Sequence, residues 1–254
     1  MSSRFRLVGG LVDRTRPLKF RFDGKSYTGF KGDTLASALM ANGVKVIGRS
    51  FKYHRPRGIF SSGSEEPNAL IELQKNDNNE PNCRATNIEL FDGLTAQSQN
   101  RWPSLRFDLQ AINDYFAPFL TAGFYYKTFM WPRGFWEKIY EPLIRRSAGL
   151  GYLSGKTDPD SYDRGYRHCD VLIIGAGPAG LMAALSAGRS GAKVIIADED
   201  FRMGGRLLAE SYAIDNMAGS DWVDIVLEEL ASLSNVILMP RTTVFGAFDH
   251  KQYS

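Results

Sequence analysis

Three glycines at the spacing Gly-x-Gly-x-x-Gly, followed by an acid, point most directly to chemistry in this chain. They are Gly175, Gly177 and Gly180, and Asp198 lies 23 residues after the first of them. The apolar stretch before them, residues 171–174, predicts a buried strand. A glycine triplet between a strand and a helix, with an acid about 20 residues further on, predicts a dinucleotide-binding loop.

Each of these residues has a separate physical role in such a loop. Gly175 permits a tight turn, Gly177 lets the backbone approach a pyrophosphate, and Gly180 lets the helix pack closely on the strand. The first turn of the helix offers unpaired N–H groups and the positive end of its dipole to the phosphates. Asp198 can accept a hydrogen bond from a ribose 2′-hydroxyl and repels a 2′-phosphate, which favours NAD or FAD over NADP.

The elements that must position this loop lie on both sides of it. Residues 181–189 predict a helix that ends at Gly191, and residues 192–198 predict the next strand. A further helix, a strand and the start of a hairpin follow toward the C-terminal end. This alternation predicts a parallel, Rossmann-type sheet. Arg202 and Arg206 lie just beyond the second strand and keep NADP open as a minor alternative.

The first hundred residues predict a smaller α/β domain of a different kind. Alternating residues around Asp23-Gly24 predict a hairpin. Asp33 is a candidate N-cap for a helix that stops at Gly43. The apolar face of that helix consists of Leu35, Leu39 and Met40. Three further short strands are predicted at residues 44–48, 68–73 and 85–93. A hairpin, a helix and further strands in this order predict a β-grasp domain.

Between these domains lies a segment rich in aromatic residues. Residues 115–140 contain eleven aromatics among 26 residues, interrupted by Pro118, Pro132 and Gly134. The breaks argue against a membrane helix, and the composition is typical of an interface core. We therefore predict three regions. They are a β-grasp domain at 1–100, an aromatic-rich connector at 101–165 and a dinucleotide-binding domain at 166–254.

Composition and charge exclude several classes of function. The chain has 254 residues, of which 43% are hydrophobic and 23% charged, and it has no long apolar run or signal-like start. The cysteines Cys83 and Cys169 are too few for a disulfide framework or a four-cysteine metal site, so we expect a reducing, cytoplasmic setting. Residues 1–60 carry thirteen Lys and Arg against three Asp, a formal charge of +10. We interpret this basic surface as facing a protein partner, because no nucleic-acid-binding module accompanies it.

A second stretch, "RPRGIFSSGSEEPNALIEL" from Arg55 to Leu73, suggests a loop that holds a group. Basic residues stand at its start, and Gly58 and Gly63 turn it before a strand-like run. The residues alone leave three alternatives open, which are a phosphate site, a metal site and a plain turn.

Four segments in this order resemble the α subunits of heterotetrameric sarcosine oxidase: "GRSFKYHRPRGIFSSGSEEPNALIEL", "GAGPAGL", "DED" with "GGRLL", and "RTTVFGAFD". The resemblance covers nearly the whole chain but only about the first quarter of such a subunit. Only 80 residues follow from Gly175, so we expect the chain to be the front part of a longer polypeptide with an unfinished sheet. In isolation we expect the chain to fold poorly and to bind NAD poorly.

The resemblance implies a β-grasp domain of the 2Fe–2S ferredoxin type without its cluster. Relatives carry cysteines there at the spacing C-x4-C-x2-C, and those positions fall on Ser61, Glu66 and Ala69. Cys83 lies near the fourth position, and one sulfur does not hold a cluster. We expect no metal site.

The resemblance also implies oxidation of a CH–NH donor. Such enzymes demethylate sarcosine to glycine, with hydrogen peroxide formed and the one-carbon unit passed to tetrahydrofolate. The flavins are expected in the β subunit, including its interface with α, and γ and δ subunits are expected as further partners. The implied NAD contacts in this chain are Ala179, Asp198, Glu199, Asp200, Arg206 and Val244, the last on a strand that reaches the adenine. No catalytic residue is assigned.

Two other hypotheses stay open at this point. One is an FAD-binding subunit of an amino-acid or opine dehydrogenase, or of a cyanide-synthase-type oxidoreductase, with FAD at the same glycines. The other is a non-catalytic assembly module that docks a partner through its basic and aromatic surfaces. Asp198 does not separate NAD from FAD, because both cofactors contain the same adenosine ribose.

Overall fold

The computed structural model describes residues 5–254 except Val8, Asn76, Asp77, Leu150 and Pro159, and it leaves the side chains of Lys75 and Tyr125 undescribed. The chain divides into two units, residues 1–159 and 160–254. The domain limits expected from the sequence, at residues 100 and 165, remain predictions.

The first unit is built on a five-stranded mixed sheet with one helix against it. Its elements in chain order are β1 (Asp13–Phe22), β2 (Lys25–Lys31), α1 (Leu35–Ala41), β3 (Gly48–Arg49), β4 (Pro56–Arg57), β5 (Leu70–Lys75), β6 (Asn78–Arg84) and β7 (Thr95–Ser98). The strand order is β2-β1-β7-β5-β6, in which β7 pairs parallel with β1 and antiparallel with β5. This is the predicted β-grasp arrangement. Strands β3 and β4 form a separate antiparallel pair.

The hydrophobic core of this unit lies between the helix and the sheet. Phe20 of β1, Leu35 and Leu39 of α1, and Ile71 of β5 are at most 1% exposed. Each such side chain contributes about 1.5–3 kcal/mol to folding. The predicted hairpin is confirmed, because Asp23-Gly24 joins β1 to β2 with both residues at positive φ, as a two-residue type I′ turn requires.

The start of α1 differs from the sequence prediction. Thr34, not Asp33, is the N-cap, and it forms a capping box with Ser37. Asp33 is fully buried one residue earlier, where its carboxylate accepts hydrogen bonds from Arg6, from Ser37 Oγ and from the N–H of Phe30. Asp33 therefore ties the N-terminal segment to the helix start instead of capping the helix.

The helix ends as predicted, at Gly43 with φ of 78° after the C-cap Asn42. Met40 was wrongly placed on the apolar face, because its side chain is 54% exposed. Alanines complete that face instead, since Ala36, Ala38 and Ala41 are buried.

Two of the predicted strands are wrong. Residues 44–47 are irregular, and only Gly48–Arg49 pairs as a strand. In residues 85–93, Ala85 and Leu90 are buried in the core, whereas Phe91 is half exposed. The backbone of this segment pairs with the start of α1 instead of a sheet, since Leu35 N–H donates to Ile88 O. Strand β6 was missed, because this polar edge strand contains Pro81 and has no apolar alternation.

The rest of this unit is a chain of short helical turns. Helices α2 (Phe124–Lys127) and α3 (Glu141–Ser147) are joined by a π-helical turn at Trp136–Tyr140, and 3₁₀ turns precede them at Leu109–Asp114 and Ala117–Phe119. Many aromatic side chains of this segment are exposed, including Tyr115, Phe116, Phe119, Tyr126, Trp131 and Phe135. No helix in the described ranges is long and apolar enough to span a bilayer.

The second unit contains a three-stranded parallel sheet. Its elements are β8 (Val171–Ile174), α4 (Pro178–Arg189), β9 (Val194–Ala197), β10 (Ala213–Ile214), β11 (Met217–Ala218), α5 (Gly219–Ser232), β12 (Val236–Met239), β13 (Ala247–Phe248) and β14 (Gln252–Tyr253). The sheet order is β12-β9-β8, and α4 and α5 pack against each other and against the sheet. Two small antiparallel hairpins, β10 with β11 and β13 with β14, complete the unit. This is the predicted Rossmann-type α/β unit.

The strand before the glycine loop is not buried as predicted. Ile174 of β8 is 59% exposed and Val171 is 36% exposed, whereas every residue of β9 is buried. The reason is position, because β8 lies at one edge of the three-stranded sheet and β9 lies at its centre.

Candidate functional site

The glycine loop lies between β8 and the N-terminus of α4. Gly175 has φ of 97°, a conformation that favours glycine, and Gly177 is the N-cap of the helix. A Cβ atom on Gly180 would lie 2.0 Å from the carbonyl oxygen of Gly175, so the turn closes only with glycine there. The fold itself therefore requires Gly175 and Gly180.

Gly177 is different, because nothing in the described part of the chain requires glycine at this position. Its φ of −72° is open to any residue, and a Cβ atom would meet no atom within 4 Å. No side chain of the described residues caps α4, and Pro178 occupies its first turn. The space above Gly177 and the uncapped helix start therefore fit the phosphates of a nucleotide, which approach such a loop through backbone N–H groups.

A second glycine pair faces this loop. Gly204 N–H donates to Ala176 O at 2.9 Å, and a Cβ atom on Gly205 would lie 3.0 Å from the Cα of Gly177. Both glycines have positive φ. Sequence analysis assigned the pair no role, although two adjacent glycines shortly after the second strand were a visible signal. The pair allows the following 3₁₀ turn, Gly205–Leu208, to approach the loop closely.

Asp198 directly follows β9, and its carboxylate faces the glycine loop. One oxygen accepts a hydrogen bond from the N–H of Ala176, and the other accepts one from the N–H of Asp200 at 2.8 Å. The structure thus brings Asp198 and the loop together, as their spacing predicted. A carboxylate oxygen has more than one lone pair, so both oxygens keep acceptor capacity for a ribose hydroxyl.

The remaining residues predicted to contact the dinucleotide differ in their solvent exposure. Ala179 is exposed on the first turn of α4, and Glu199 and Asp200 are half-buried after Asp198. Val244 is half-buried between β12 and β13 and lies on no strand. The prediction that a strand carries Val244 is therefore wrong. The chain there runs through irregular backbone from residue 242 to residue 246.

The two arginines that kept NADP open have acidic partners of their own. Arg206 is exposed and donates to Glu210 at 2.6 Å, four residues along the chain. Arg202 contacts Asp224 on α5 at 3.3 Å. Both guanidinium groups are therefore already paired, which lowers their availability to a 2′-phosphate.

The loop from Arg55 to Leu73 is organised around one buried carboxylate. Glu66 is 1% exposed, and one of its oxygens accepts the N–H groups of Phe60 at 2.7 Å and Ser61 at 2.6 Å. The other oxygen accepts the N–H groups of Asn68 at 2.7 Å and Ala69 at 3.2 Å. Burial raises the pKa of the Glu66 carboxyl, but the four hydrogen bonds together lower it by more, so the net pKa lies below its ordinary value.

The donor set of this loop does not fit an iron–sulfur cluster. Ser61 presents a buried hydroxyl oxygen that has no hydrogen-bond partner in the described part of the chain. Ala69 presents a methyl group, and the backbone holds the Glu66 carboxylate. Cys83 supplies one thiol, whose pKa is raised by burial and by the nearby Glu80. Within the described ranges, no group of three or more His, Cys, Asp or Glu could hold a metal ion.

Two basic residues that precede this loop, His54 and Arg49, contact one buried carboxylate. His54 is fully buried, with Nδ1 at 2.7 Å from Asp108 Oδ2 and Nε2 at 3.2 Å from the carbonyl oxygen of Ser147. Arg49 contacts the same Asp108 oxygen at 3.4 Å. The sequence suggested cations around an anion, and the anion is a side chain, Asp108, which lies 54 residues beyond His54.

A polar cavity of about 150 Å³ also occurs in the first unit. Its polar lining includes Arg49, Arg57, Asn68, Asn82, Gln99 and Asn100. Pockets for cofactor-sized ligands are typically about 300–1,000 Å³, so this cavity is too small for a dinucleotide. The glycine loop remains the candidate binding site.

Known proteins share both parts of this architecture. Residues 15–101 match the 2Fe-2S iron-sulfur cluster binding domain family, and residues 170–235 match the FAD dependent oxidoreductase family. The sarcosine oxidase α subunit of Rhizobium meliloti is 58% identical over 240 residues, which cover 94% of this chain. This chain is homologous to the α subunits of sarcosine oxidase. The α subunit of the Corynebacterium sp. strain U-96 enzyme is 37% identical over 95% of the chain.

The homology has defined limits. The chain spans 24% of the length of the Rhizobium meliloti α subunit and 20% of the length of the Corynebacterium sp. strain U-96 α subunit. An opine oxidase subunit of Agrobacterium tumefaciens is 43% identical over 82 residues, which cover 30% of this chain but 16% of the opine oxidase polypeptide. The crystal structure of L-proline dehydrogenase from P. horikoshii aligns with 94% of the present chain, and the alignment covers 36% of the dehydrogenase chain. The TM-score is 0.53 at 20% identity, so this likeness shows the fold alone.

Proposed function

We propose that this chain binds the ADP part of a dinucleotide at the glycine loop and belongs to an oxidoreductase of the sarcosine oxidase type. The observation that carries the proposal is the open space over Gly177, bordered by an uncapped helix start and by the carboxylate of Asp198. The family match over residues 170–235 supports the same class of ligand.

The residues of this chain divide the binding task. The pyrophosphate would lie over Gly177 and accept hydrogen bonds from N–H groups in the first turn of α4, including those of Ala179 and Gly180. Asp198 would accept the hydroxyls of the adenosine ribose. The outer contacts, proposed on the resemblance to sarcosine oxidase α subunits, are Glu199, Asp200, Arg206 and Val244.

NAD is the first candidate for this site and FAD is the second. The resemblance to sarcosine oxidase α subunits favours NAD, held without turnover, and the family name over residues 170–235 favours FAD. A bound flavin would supply an acceptor for a hydride equivalent, whereas NAD held without turnover would supply none of the chemistry. The protein's part is the same for both, which is to orient the shared ADP group.

The test is the identity of the nucleotide that the protein carries and binds. Nucleotide released by denaturation from the assembled enzyme that contains this chain is identified by mass spectrometry, and binding of NAD, FAD and NADP to that assembly is measured by calorimetry. We expect NAD to bind, and we expect NADP to bind at least about tenfold more weakly because Asp198 repels its 2′-phosphate. Binding of NADP as tight as that of NAD would contradict the role of Asp198. Failure of all three to bind would contradict the site.

At the level of the whole enzyme we propose oxidative demethylation of sarcosine to glycine. Hydrogen peroxide would form and the one-carbon unit would pass to tetrahydrofolate, with flavins in a β subunit, while γ and δ subunits complete a cytoplasmic assembly. Homology to sarcosine oxidase α subunits supports this proposal, and the exposed aromatics of residues 115–140 suit a surface that another subunit or domain covers. Sarcosine-dependent peroxide formation by the co-purified assembly, with and without tetrahydrofolate, tests it.

We also propose that the β-grasp domain carries no iron–sulfur cluster. The support is the donor set, since Ser61, Glu66 and Ala69 occupy the positions where cysteines would be needed. Anaerobic reconstitution followed by iron and sulfide analysis tests this proposal, and stoichiometric iron would contradict it.

A second candidate function is an FAD-binding subunit of an opine oxidase type. The observation that favours it is 43% identity over 82 residues to the opine oxidase subunit of Agrobacterium tumefaciens. Released FAD together with oxidation of opines, and no oxidation of sarcosine, would favour this alternative. An assembly without either activity, in which the chain only docks partners, would favour a non-catalytic module.

A further inference from the structure

The loop from Arg55 to Leu73 gathers four backbone N–H groups toward one point. They come from both limbs of the loop, Phe60 and Ser61 on one side and Asn68 and Ala69 on the other. Buried N–H groups must find acceptors, because each one left without a partner costs free energy comparable to a lost hydrogen bond. A loop of this shape therefore needs an acceptor at its centre.

The acceptor in this chain is a side chain of the loop itself. We propose that the carboxylate of Glu66 takes the place of an iron–sulfur cluster, as an internal anion that holds the loop in a cluster-binding shape without metal. Both oxygens are used, and each bridges two donors on one limb of the loop. The proposal is independent of dinucleotide binding, which concerns the second unit.

The chemistry of the two groups is alike where the loop contacts them. A cluster held by cysteine thiolates carries negative charge and accepts N–H hydrogen bonds on its sulfurs. A carboxylate also carries negative charge and accepts about four hydrogen bonds on its two oxygens. The carboxylate needs no added iron. Glu66 occupies the second of the three positions at which relatives carry cysteines, so this carboxylate and a cluster exclude each other.

Backbone N–H groups, and not a charged side chain, stabilise the buried carboxylate of Glu66. It takes part in none of the ion pairs described for residues 5–254 outside the gaps, and no charged side chain contributes to the lowering of its pKa. The loop is fixed at its turn as well, where Gly63 O accepts hydrogen bonds from Thr86 Oγ1 at 2.8 Å and from the Glu66 N–H at 3.2 Å. A charge with four donors and no counter-ion among the described residues is the arrangement of an anion-binding nest.

The direct test compares Glu66→Gln with Glu65→Gln, a matched change at the exposed neighbouring residue. Gln keeps the size of Glu66 but loses the charge and turns an NH₂ group toward two N–H donors. We expect Glu66→Gln to lower the melting temperature by about 5 °C or more. We expect Glu65→Gln to leave it unchanged. Equal melting temperatures for the two variants would overturn the proposal.

The pH dependence has a definite sign. The folded-state pKa of Glu66 lies below its ordinary value, so its stabilisation is present above the ordinary value of about 4.3 and is lost as the pH falls through the folded-state pKa. The difference in melting temperature between the parent and Glu66→Gln should therefore be constant near neutral pH and shrink in acid. A difference that persists unchanged in acid would overturn the proposal, because packing and not charge would then matter at this position.

A measurement on the unmodified protein covers the case in which Glu66→Gln does not fold. The carboxyl carbons of Glu65 and Glu66 are followed by NMR as the pH is lowered. We expect Glu66 to titrate below the ordinary glutamate pKa of about 4.3. Titration of Glu66 at or above that ordinary value would overturn the proposal.

Discussion

The two loops of this chain offer backbone N–H groups in opposite ways. The glycine loop of the second unit leaves the space over Gly177 open and its helix uncapped. The loop around Glu66 in the first unit fills its own centre with a carboxylate that accepts four N–H groups. On the proposal made for Glu66, a match to a 2Fe-2S domain family does not by itself imply a bound cluster. What decides is whether the chain already satisfies the donors.

The largest expected effect comes from Gly180→Ala. Its Cβ atom would lie 2.0 Å from Gly175 O, a backbone atom that moves only if the turn opens. We expect a loss of about 3 kcal/mol in the free energy of unfolding and no measurable nucleotide binding. Denaturant unfolding and calorimetry measure the two effects. Normal stability with normal binding would show that the turn closes differently.

The next effect is expected from Asp198→Asn. The amide keeps one acceptor oxygen but loses the charge, and a hydrogen bond to a charged acceptor contributes roughly 1.5–3 kcal/mol. We expect NAD affinity to fall by about one to two decades. Asp224→Asn, on the exposed face of α5, is the matched control and should bind normally. Equal affinities for the two variants would remove Asp198 from the site.

A smaller effect on affinity, with no effect on folding, is expected from Gly177→Ala. The added methyl group enters open space at a φ that suits alanine, so stability should change by less than about 0.5 kcal/mol. The same methyl group would meet the pyrophosphate, and we expect at least about tenfold weaker binding. Together with Gly180→Ala this variant separates glycine needed for folding from glycine needed for the ligand. Unchanged affinity would place the phosphates elsewhere.

The smallest effect is expected from Ser61→Ala, in the loop that is already filled. Its hydroxyl is buried and has no hydrogen-bond partner among the residues that the structure describes, so its removal leaves no donor or acceptor behind. We expect stability to stay unchanged or to rise by up to about 1 kcal/mol. Chemical denaturation measures it. A loss of more than about 1 kcal/mol would mean that Ser61 has a partner that the proposed organisation of the loop lacks.

Local signals in the sequence predicted the elements that depend on local chemistry. Asp23-Gly24 set a hairpin, Gly43 ended a helix, and the spacing from Gly175 to Asp198 brought the acid to the glycine loop. In each case the feature follows from residues close together along the chain or from a known spacing between two strands.

Features that depend on distant partners were missed. Asp33 is buried because Arg6, 27 residues earlier, reaches it. The edge strand β6 was missed for a different reason, because its polar residues show no apolar alternation although its partner β5 directly precedes it. The four donors of Glu66 are backbone groups, which no side-chain pattern reveals. The contact of His54 with Asp108, 54 residues away, likewise could not be predicted from local sequence.

Hydrogen exchange of the full protein, with and without NAD or FAD, tests the contrast between the two loops most directly. The account predicts slow exchange of the Phe60, Ser61, Asn68 and Ala69 N–H groups without any added cofactor, because the carboxylate of Glu66 accepts them. It predicts that exchange of the Ala179 and Gly180 N–H groups slows only when a dinucleotide is added. Fast exchange of the four N–H groups around Glu66, or no response of Ala179 and Gly180 to either dinucleotide, would contradict it.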